Sequence, residues 1–497
     1  MAEVQVDLRG GLPGLDIIGL PDRAVSEAAR RVRAALANAG FRIPPRKVVV
    51  NLAPADLPKR GPGLDLPIAV GLMVAGGGLA AGVAQGKVFW GQLALDGRVQ
   101  TVPGAIAIAR AAQGAGRKAF VAAPTDAAQA ALTGIEAYAL NHLRDLRREG
   151  EGRFRRMMPA KEVEGGGAGD TAADEGDAAL LVLRGAAGPL RAAAVSAAGG
   201  HSVAFFGPPG VGKSLLGQGV HSLLPPPAGA EALDIRTVAS LSGEAVPPGG
   251  PRRPLRAPLP GCTAGSVFGG GQTPRPGEVT LAHGGVLLLD ELPRHRAEVT
   301  GQLAVVLDRG YVELGPAGRQ TRLPAVFQLV ATANLCACGH QGTGKGCVCT
   351  RGARRAFWRK LSAPLLDRID LQVIVAGPDV ERLNRGLAGG PAPAGAADPP
   401  RLRAAVAEAR RVQGRRYGAG ILNGSAKETA FRDAAQPAAA ATTLLADAAG
   451  SMSLSARAFY RVLRVARTIA DLDGTTQIEP HHVAEALSYR LREGIST

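Results

Sequence analysis

Aromatic residues make up only 4% of this 497-residue chain, and there are only five cysteines, too few in so long a chain for a disulfide scaffold. Lysine is scarce as well, nine residues against 49 arginines. Acids are in deficit, with 42 Asp and Glu facing 58 Lys and Arg for a net charge of +16. That balance favours polyanionic partners, nucleic acid first. The same Arg, Gly and Ala excess also arises from GC-rich coding bias, so charge alone does not decide between the two. No long apolar run offers a membrane span. Residues 66–86 lack charge, but Pro67 opens them and Gly76 to Gly78 interrupt them, which fits a buried helix and turn. Residues 1–10 carry acids and no apolar stretch, so no signal peptide is expected and the chain reads as cytoplasmic, with no membrane partner.

What is present is ordinary globular composition, 46% hydrophobic and 20% charged, which excludes wholesale disorder. The length suggests about three domains. Residues 1–148 read as an α/β unit: strands over 4–8, 47–51 and 120–122, a helix over 26–38 stopped by Gly40, and a hairpin of 88–95 with 99–102 around Asp96-Gly97. Residues 149–180 shift to Gly, Glu, Asp and Arg and read as a flexible linker. From 181 to 378, strands over 201–206, 286–289, 325–332 and 371–375 alternate with helical stretches, the pattern of a parallel sheet. Within it, residues 243–285 read as an insertion rich in Pro, Gly and Arg. A second Gly/Pro/Ala connection over 379–400 leads to helices over 401–416, 438–449, 455–472 and 480–492.

Gly207-Pro208-Pro209-Gly210-Val211-Gly212-Lys213-Ser214 matches the P-loop pattern between a strand and a helix. Its glycines let backbone N–H groups turn toward phosphate, Lys213 meets the β- and γ-phosphates of ATP, and Ser214 ligates Mg²⁺. Val286-Leu-Leu-Leu-Asp-Glu291 has the form of a Walker B strand, with Asp290 in the Mg²⁺ shell and Glu291 polarising the attacking water. Asn334, ending Ala331-Thr-Ala-Asn334, is placed to orient that water, or is an ordinary strand-end Asn. Arg368, in Leu365-Leu-Asp-Arg-Ile-Asp370, suits either an arginine finger or a salt bridge with Asp367 or Asp370.

These motifs in order, with Leu454-Ser-Ala-Arg457, resemble the magnesium-chelatase-like AAA+ ATPases of the ComM/YifB type. Gly11-Leu-Pro-Gly14, Val50-Asn-Leu-Ala-Pro-Ala-Asp-Leu-Pro58 and Leu64-Asp-Leu-Pro67 are similar to that family's N-terminal domain. The resemblance implies a ribosomal-S5/Lon-like α+β domain, a P-loop AAA+ parallel-sheet α/β core and a C-terminal helical lid over 401–497. It also implies a homo-hexamer with Arg368 acting in trans, Arg457 as second sensor of the γ-phosphate, and a DNA helicase driving branch migration. Two departures stand out: Arg256-Ala-Pro-Leu-Pro260 where the family tends to have a His pair, and Leu335 in place of the usual Pro. Lon proteases resemble the region around Gly61-Pro-Gly-Leu64, but no serine stands where their nucleophile is expected and no nearby lysine makes a dyad.

Cys336, Cys338, Cys347 and Cys349 can close a Zn²⁺ site, serve as free thiols or sense redox state. Residues 309–322 read as a hairpin turning at Gly315 to Gly318, which in motors of this clade faces the pore. Arg319 and Arg322 are then candidate phosphate contacts, or part of a solvated hairpin. Two rival readings remain open, a chelatase ATPase subunit and an ATP-switched scaffold.

Overall fold

The computed structural model describes residues 2–56, 58–59, 61–148, 155–158, 187–244, 252–271, 275–315, 320–343, 346–361, 363–376 and 398–490. The chain divides into two compact units, Met1–Glu164 with Ala232–Gly250, and Gly165–Glu231 with Pro251–Thr497. Residues 232–250 therefore group with the first unit, although in sequence they sit inside the second.

In the first unit, strand Lys47–Ala53 is central to a three-stranded sheet, antiparallel to Glu3–Arg9 and parallel to Gly14–Ile18. Its period of two is visible in Val48, Val50 and Leu52, all buried on one face. Helix Arg23–Asn38 starts where Asp22 accepts from the Val25 N–H, and buries Val25, Ala28, Val32, Ala35 and Leu36. The uncharged run forms helix Asp65–Ala75 and the short Ala81–Ala84. No described helix is long and apolar enough to cross a membrane.

A second sheet joins Lys87–Trp90, Ala119–Ala122 and Glu136–Ala139 in parallel, with Arg155–Met157 antiparallel at the edge. Two expectations change here. The hairpin over 88–102 is split at Gly91: Lys87–Trp90 pairs with Ala119–Ala122, and only Gln92–Leu93 turns back on Val99–Gln100. Arg155–Met157, inside the stretch read as a linker, is an edge strand. The rest of that linker, apart from Met158, and residues 379–397 lie outside the described residues.

The second unit is mixed α/β around a five-stranded, all-parallel sheet ordered Leu255–Arg256, Val286–Leu289, Gln328–Ala333, Val203–Phe206 and Leu371–Ile374. Three of these strands are buried at every residue, as expected of parallel strands covered on both faces; two are unbroken apolar runs, and Gln328–Ala333 buries Gln328 and Thr332 as well. Leu255–Arg256 comes from the expected insertion and supplies the sheet edge. The C-terminal region is helical: Pro399–Tyr417, Glu428–Ala435, Ala439–Ser451, Ala456–Leu472 and Pro480–Ser488. The second of these falls between the helices expected over 401–416 and 438–449, and buries Phe431 and Ala435.

Buried polar groups tie the helices to the sheet. His201 bonds Thr468 at 2.8 Å, and Asn423 bonds Thr468 and Asp471 at 3.0 and 2.9 Å. Fully buried Arg467 donates to Asp471 and to the carbonyls of Thr475 and Thr476, and Arg416 donates twice to Asp471. Each charge is thus paired and each donor satisfied, the condition under which burial is tolerated.

Candidate active site

Because the strands ending in Phe206, Leu289 and Ala333 are neighbours, their C-terminal loops converge at one edge of the sheet, the usual place for ligands in such folds. The P-loop leaves Phe206 with Gly210 and Gly212 at φ +81° and +86°, in the left-handed region that glycine adopts without strain. Gly207 passes so near Val375 that a Cβ there would stand 2.4 Å from its carbonyl oxygen. Helix Lys213–Ser222 follows directly, so its free N–H groups face the loop.

Lys213 Nζ donates to the carbonyls of Gly207 and Pro208 at 3.0 and 2.6 Å and to Asn334 Oδ1 at 3.1 Å. Burial lowers the ammonium's pKa, and Asp290 and Glu291 oppose that shift. Ser214 Oγ donates to both carboxylate oxygens of Asp290 at 3.0 Å. Hydroxyl and carboxylate of the Mg²⁺-type donor set are therefore already in contact, so these residues fit the ion.

Thr332 was not marked by the sequence, yet its hydroxyl donates to Asp290 and accepts the Glu291 N–H at 3.0 Å. His295 donates from Nε2 to the Asp290 carbonyl at 3.0 Å, and burial keeps its imidazole pKa below the ordinary value. Glu291 itself adopts φ +53°, which costs a non-glycine residue about 1 kcal/mol. Its carboxylate is paired with Arg294, three residues on.

The remaining arginines gather elsewhere. Arg368 pairs with Asp308 rather than with Asp367 or Asp370, and Arg457 donates to the other oxygen of Asp308 at 2.8 Å. Partial burial would raise the Asp308 carboxyl, but hydrogen bonds from Arg368 and Arg457 hold it below the usual carboxylate range. The three line a cavity of about 840 Å³ with Arg309, Arg461 and Arg464, and no P-loop residue lines it. Asp308 sits on helix Ala297–Arg309 and carries no signal in sequence.

The expected hairpin is present as Tyr311–Leu314 paired with Thr321–Pro324. Arg322 bonds Glu313 at 2.9 Å and covers the Tyr311 ring, while Arg319 lies outside the described residues. In the first unit, a Cβ on Gly63 would stand 2.4 Å from the Trp90 ring, so the indole leaves no room for a side chain there.

The parallel sheet with a P-loop, a Walker B acid pair and a strand-end Asn at adjacent strand termini defines a P-loop α/β protein with a helical C-terminal region. Residues 180–383 match the family "Magnesium chelatase, subunit ChlI", residues 4–126 match "Subunit ChlI of Mg-chelatase", and residues 398–490 match its C-terminal domain. The chain is 35% identical to the uncharacterized protein YifB of Salmonella typhimurium over 98% of this chain and 93% of that one. It is 34% identical to the competence protein ComM of Haemophilus influenzae over 99% and 94%. The chain belongs to the magnesium-chelatase-like AAA+ family, and within it to the ComM/YifB type.

Proposed function

We propose that the chain is an ATP-hydrolysing motor working as a homo-hexamer on DNA, a helicase or translocase that promotes branch migration in recombination or natural transformation. The observation that carries this reading is the division of the ATPase machinery. Lys213 bonds Asn334 and the adjacent Ser214 bonds Asp290, whereas Arg368 and Arg457 share Asp308 in a cavity that no P-loop residue lines. A subunit that presents ATP-binding groups in one place and paired arginines in another is completed by a neighbouring copy. Kinship with a competence protein supports the DNA role. The reading places the chain in the cytoplasm.

In this reading the P-loop N–H groups and Lys213 bind the phosphates of ATP, and Ser214 and Asp290 hold Mg²⁺. Mg²⁺ held by these two residues would supply charge neutralisation for the phosphates. Asn334, already hydrogen-bonded to Lys213, orients the attacking water, and Glu291 polarises it on leaving Arg294. Arg368 and Arg457 stabilise the γ-phosphate of the neighbour's ATP.

ATP turnover measured with and without single-stranded, double-stranded and forked DNA tests the reading, and stimulation is expected. Arg319 and Arg322 are proposed phosphate contacts. Each substitution by Ala should make the slope of log affinity against log salt shallower by about 0.9 for duplex or about 0.7 for single strands, with basal ATPase intact. No stimulation and no salt-sensitive binding would favour the chelatase subunit or scaffold reading instead.

A further inference from the structure

The four cysteines that follow Asn334 converge in space. Cys336 and Cys338 Sγ lie 3.4 Å apart, and Cys347 Sγ is 3.6 Å from each of them. Cys349 completes a group whose ligand atoms all lie within 4.8 Å of one another. A Zn–S bond of about 2.3 Å in a tetrahedron sets sulfur-to-sulfur edges of about 3.8 Å, so the thiols stand near the corners such an ion requires. None is in a disulfide, and their separations far exceed the S–S bond length of about 2.05 Å. A donor set of sulfur alone selects a soft ion and disfavours Mg²⁺ or Ca²⁺. The Gln341 N–H donates to Cys336 Sγ at 3.4 Å.

The turn between the two cysteine pairs lies against the P-loop. Gly339 and Gly342 have φ of +77° and +84°. A Cβ on Gly339 would stand 3.2 Å from the Pro209 ring, and one on Gly342 would stand 3.7 Å from the Pro208 ring and 3.3 Å from Leu335. Cys336 follows Asn334 by two residues, and Asn334 bonds Lys213. No helix or strand orders the described residues 337–343 and 346–350, which are held by turn hydrogen bonds such as Gly339 N–H to the Cys336 carbonyl and by the group of thiols.

We propose that Cys336, Cys338, Cys347 and Cys349 bind Zn²⁺ and that the metal-closed loop is a brace that holds Pro208, Pro209 and Asn334 in their nucleotide-binding arrangement. The metal site stands on the thiols alone, and the brace rests on the nucleotide-site reading above. Two kinds of variant separate them. Cys336→Ser with Cys347→Ser removes ligands, whereas Gly339→Ala keeps every thiol and crowds Pro209 at a backbone angle that alanine resists.

The full-length protein should contain stoichiometric zinc, and after zinc removal under reducing conditions it should take up Co²⁺ with the sulfur-to-cobalt absorption of a tetrathiolate site. The double Cys variant should lack that absorption. Gly339→Ala should retain it while binding a fluorescent ATP analogue roughly tenfold or more weakly. Zinc removal from the wild-type chain should weaken the analogue to a similar degree, and added Zn²⁺ should restore it. Failure of the wild-type chain to bind cobalt stoichiometrically overturns the metal site. Unchanged analogue affinity, both on zinc removal and in Gly339→Ala, overturns the brace. Lys213→Ala should lose the analogue yet keep the cobalt absorption. If the wild-type chain binds no analogue at all, the nucleotide reading fails and the metal site is judged on cobalt alone.

Discussion

Asp308→Asn isolates the anchoring of the two arginines from the chemistry of the P-loop. Asp308 is one-third exposed, Arg368 is 17% exposed and Arg457 is 49% exposed, so both ion pairs are screened by solvent. Each is worth about 0–1 kcal/mol, and the substitution should cost no more than about 2 kcal/mol of stability. Its effect on turnover should be larger. An arginine finger contributes about 10³ to 10⁵ in kcat, and a displacement of about 1 Å costs roughly 10²-fold, so kcat should fall about 10²-fold. Affinity for the ATP analogue in the same subunit should stay at the wild-type value, because no P-loop residue lines the cavity where Asp308 lies.

The arginines hold the Asp308 carboxyl below its ordinary value, so its contribution to stability is present above the unfolded pKa of about 3.9 and is lost as pH falls through the lower folded value. The melting difference between wild type and Asp308→Asn should therefore be full at pH 7 and vanish in acid. Steady-state ATPase assays, paired with thermal unfolding, measure both effects. Mixing Asp308→Asn with Lys213→Ala subunits should restore part of the activity through interfaces that carry one intact half from each. Wild-type kcat in Asp308→Asn would refute the anchoring role, and absence of rescue under conditions that permit subunit exchange would refute action in trans.

Lys213→Ala should lose binding of the ATP analogue, whereas Glu291→Gln should bind ATP and stall before hydrolysis; equal ATP affinity in Lys213→Ala and wild type would sink the site. Asp471→Ala should destabilise the second unit by about 3–5 kcal/mol, seen as a lower denaturant midpoint, because it strands buried Arg467 and leaves Arg416 without its acid. A loss below about 1 kcal/mol would show that water or relaxation satisfies both guanidinium groups.

Features that are contiguous or periodic can be read directly along the chain. The P-loop is a single run whose glycines, lysine and serine act within one turn. The Walker B strand is legible because a parallel strand buried on both faces must be apolar throughout before its acids. The cysteine pairs and four of the five described C-terminal helices were legible for the same kind of reason, a local pattern along one stretch, whereas Glu428–Ala435 was not. Features that depend on partners far along the chain are set by packing instead. Arg368 has acids beside it at 367 and 370, yet it pairs with Asp308, 60 residues away, and Arg457 reaches the same carboxylate from 149 residues away. Likewise, residues 88–90 read as one arm of a hairpin, but Lys87–Trp90 lies parallel to Ala119–Ala122. A charged side chain and a short apolar strand each have several acceptable partners in sequence. Packing selects among them, because the arrangement of the sheet and its helices must bury the apolar runs while bringing Asp308 to both arginines and Asp471 to Arg416 and Arg467.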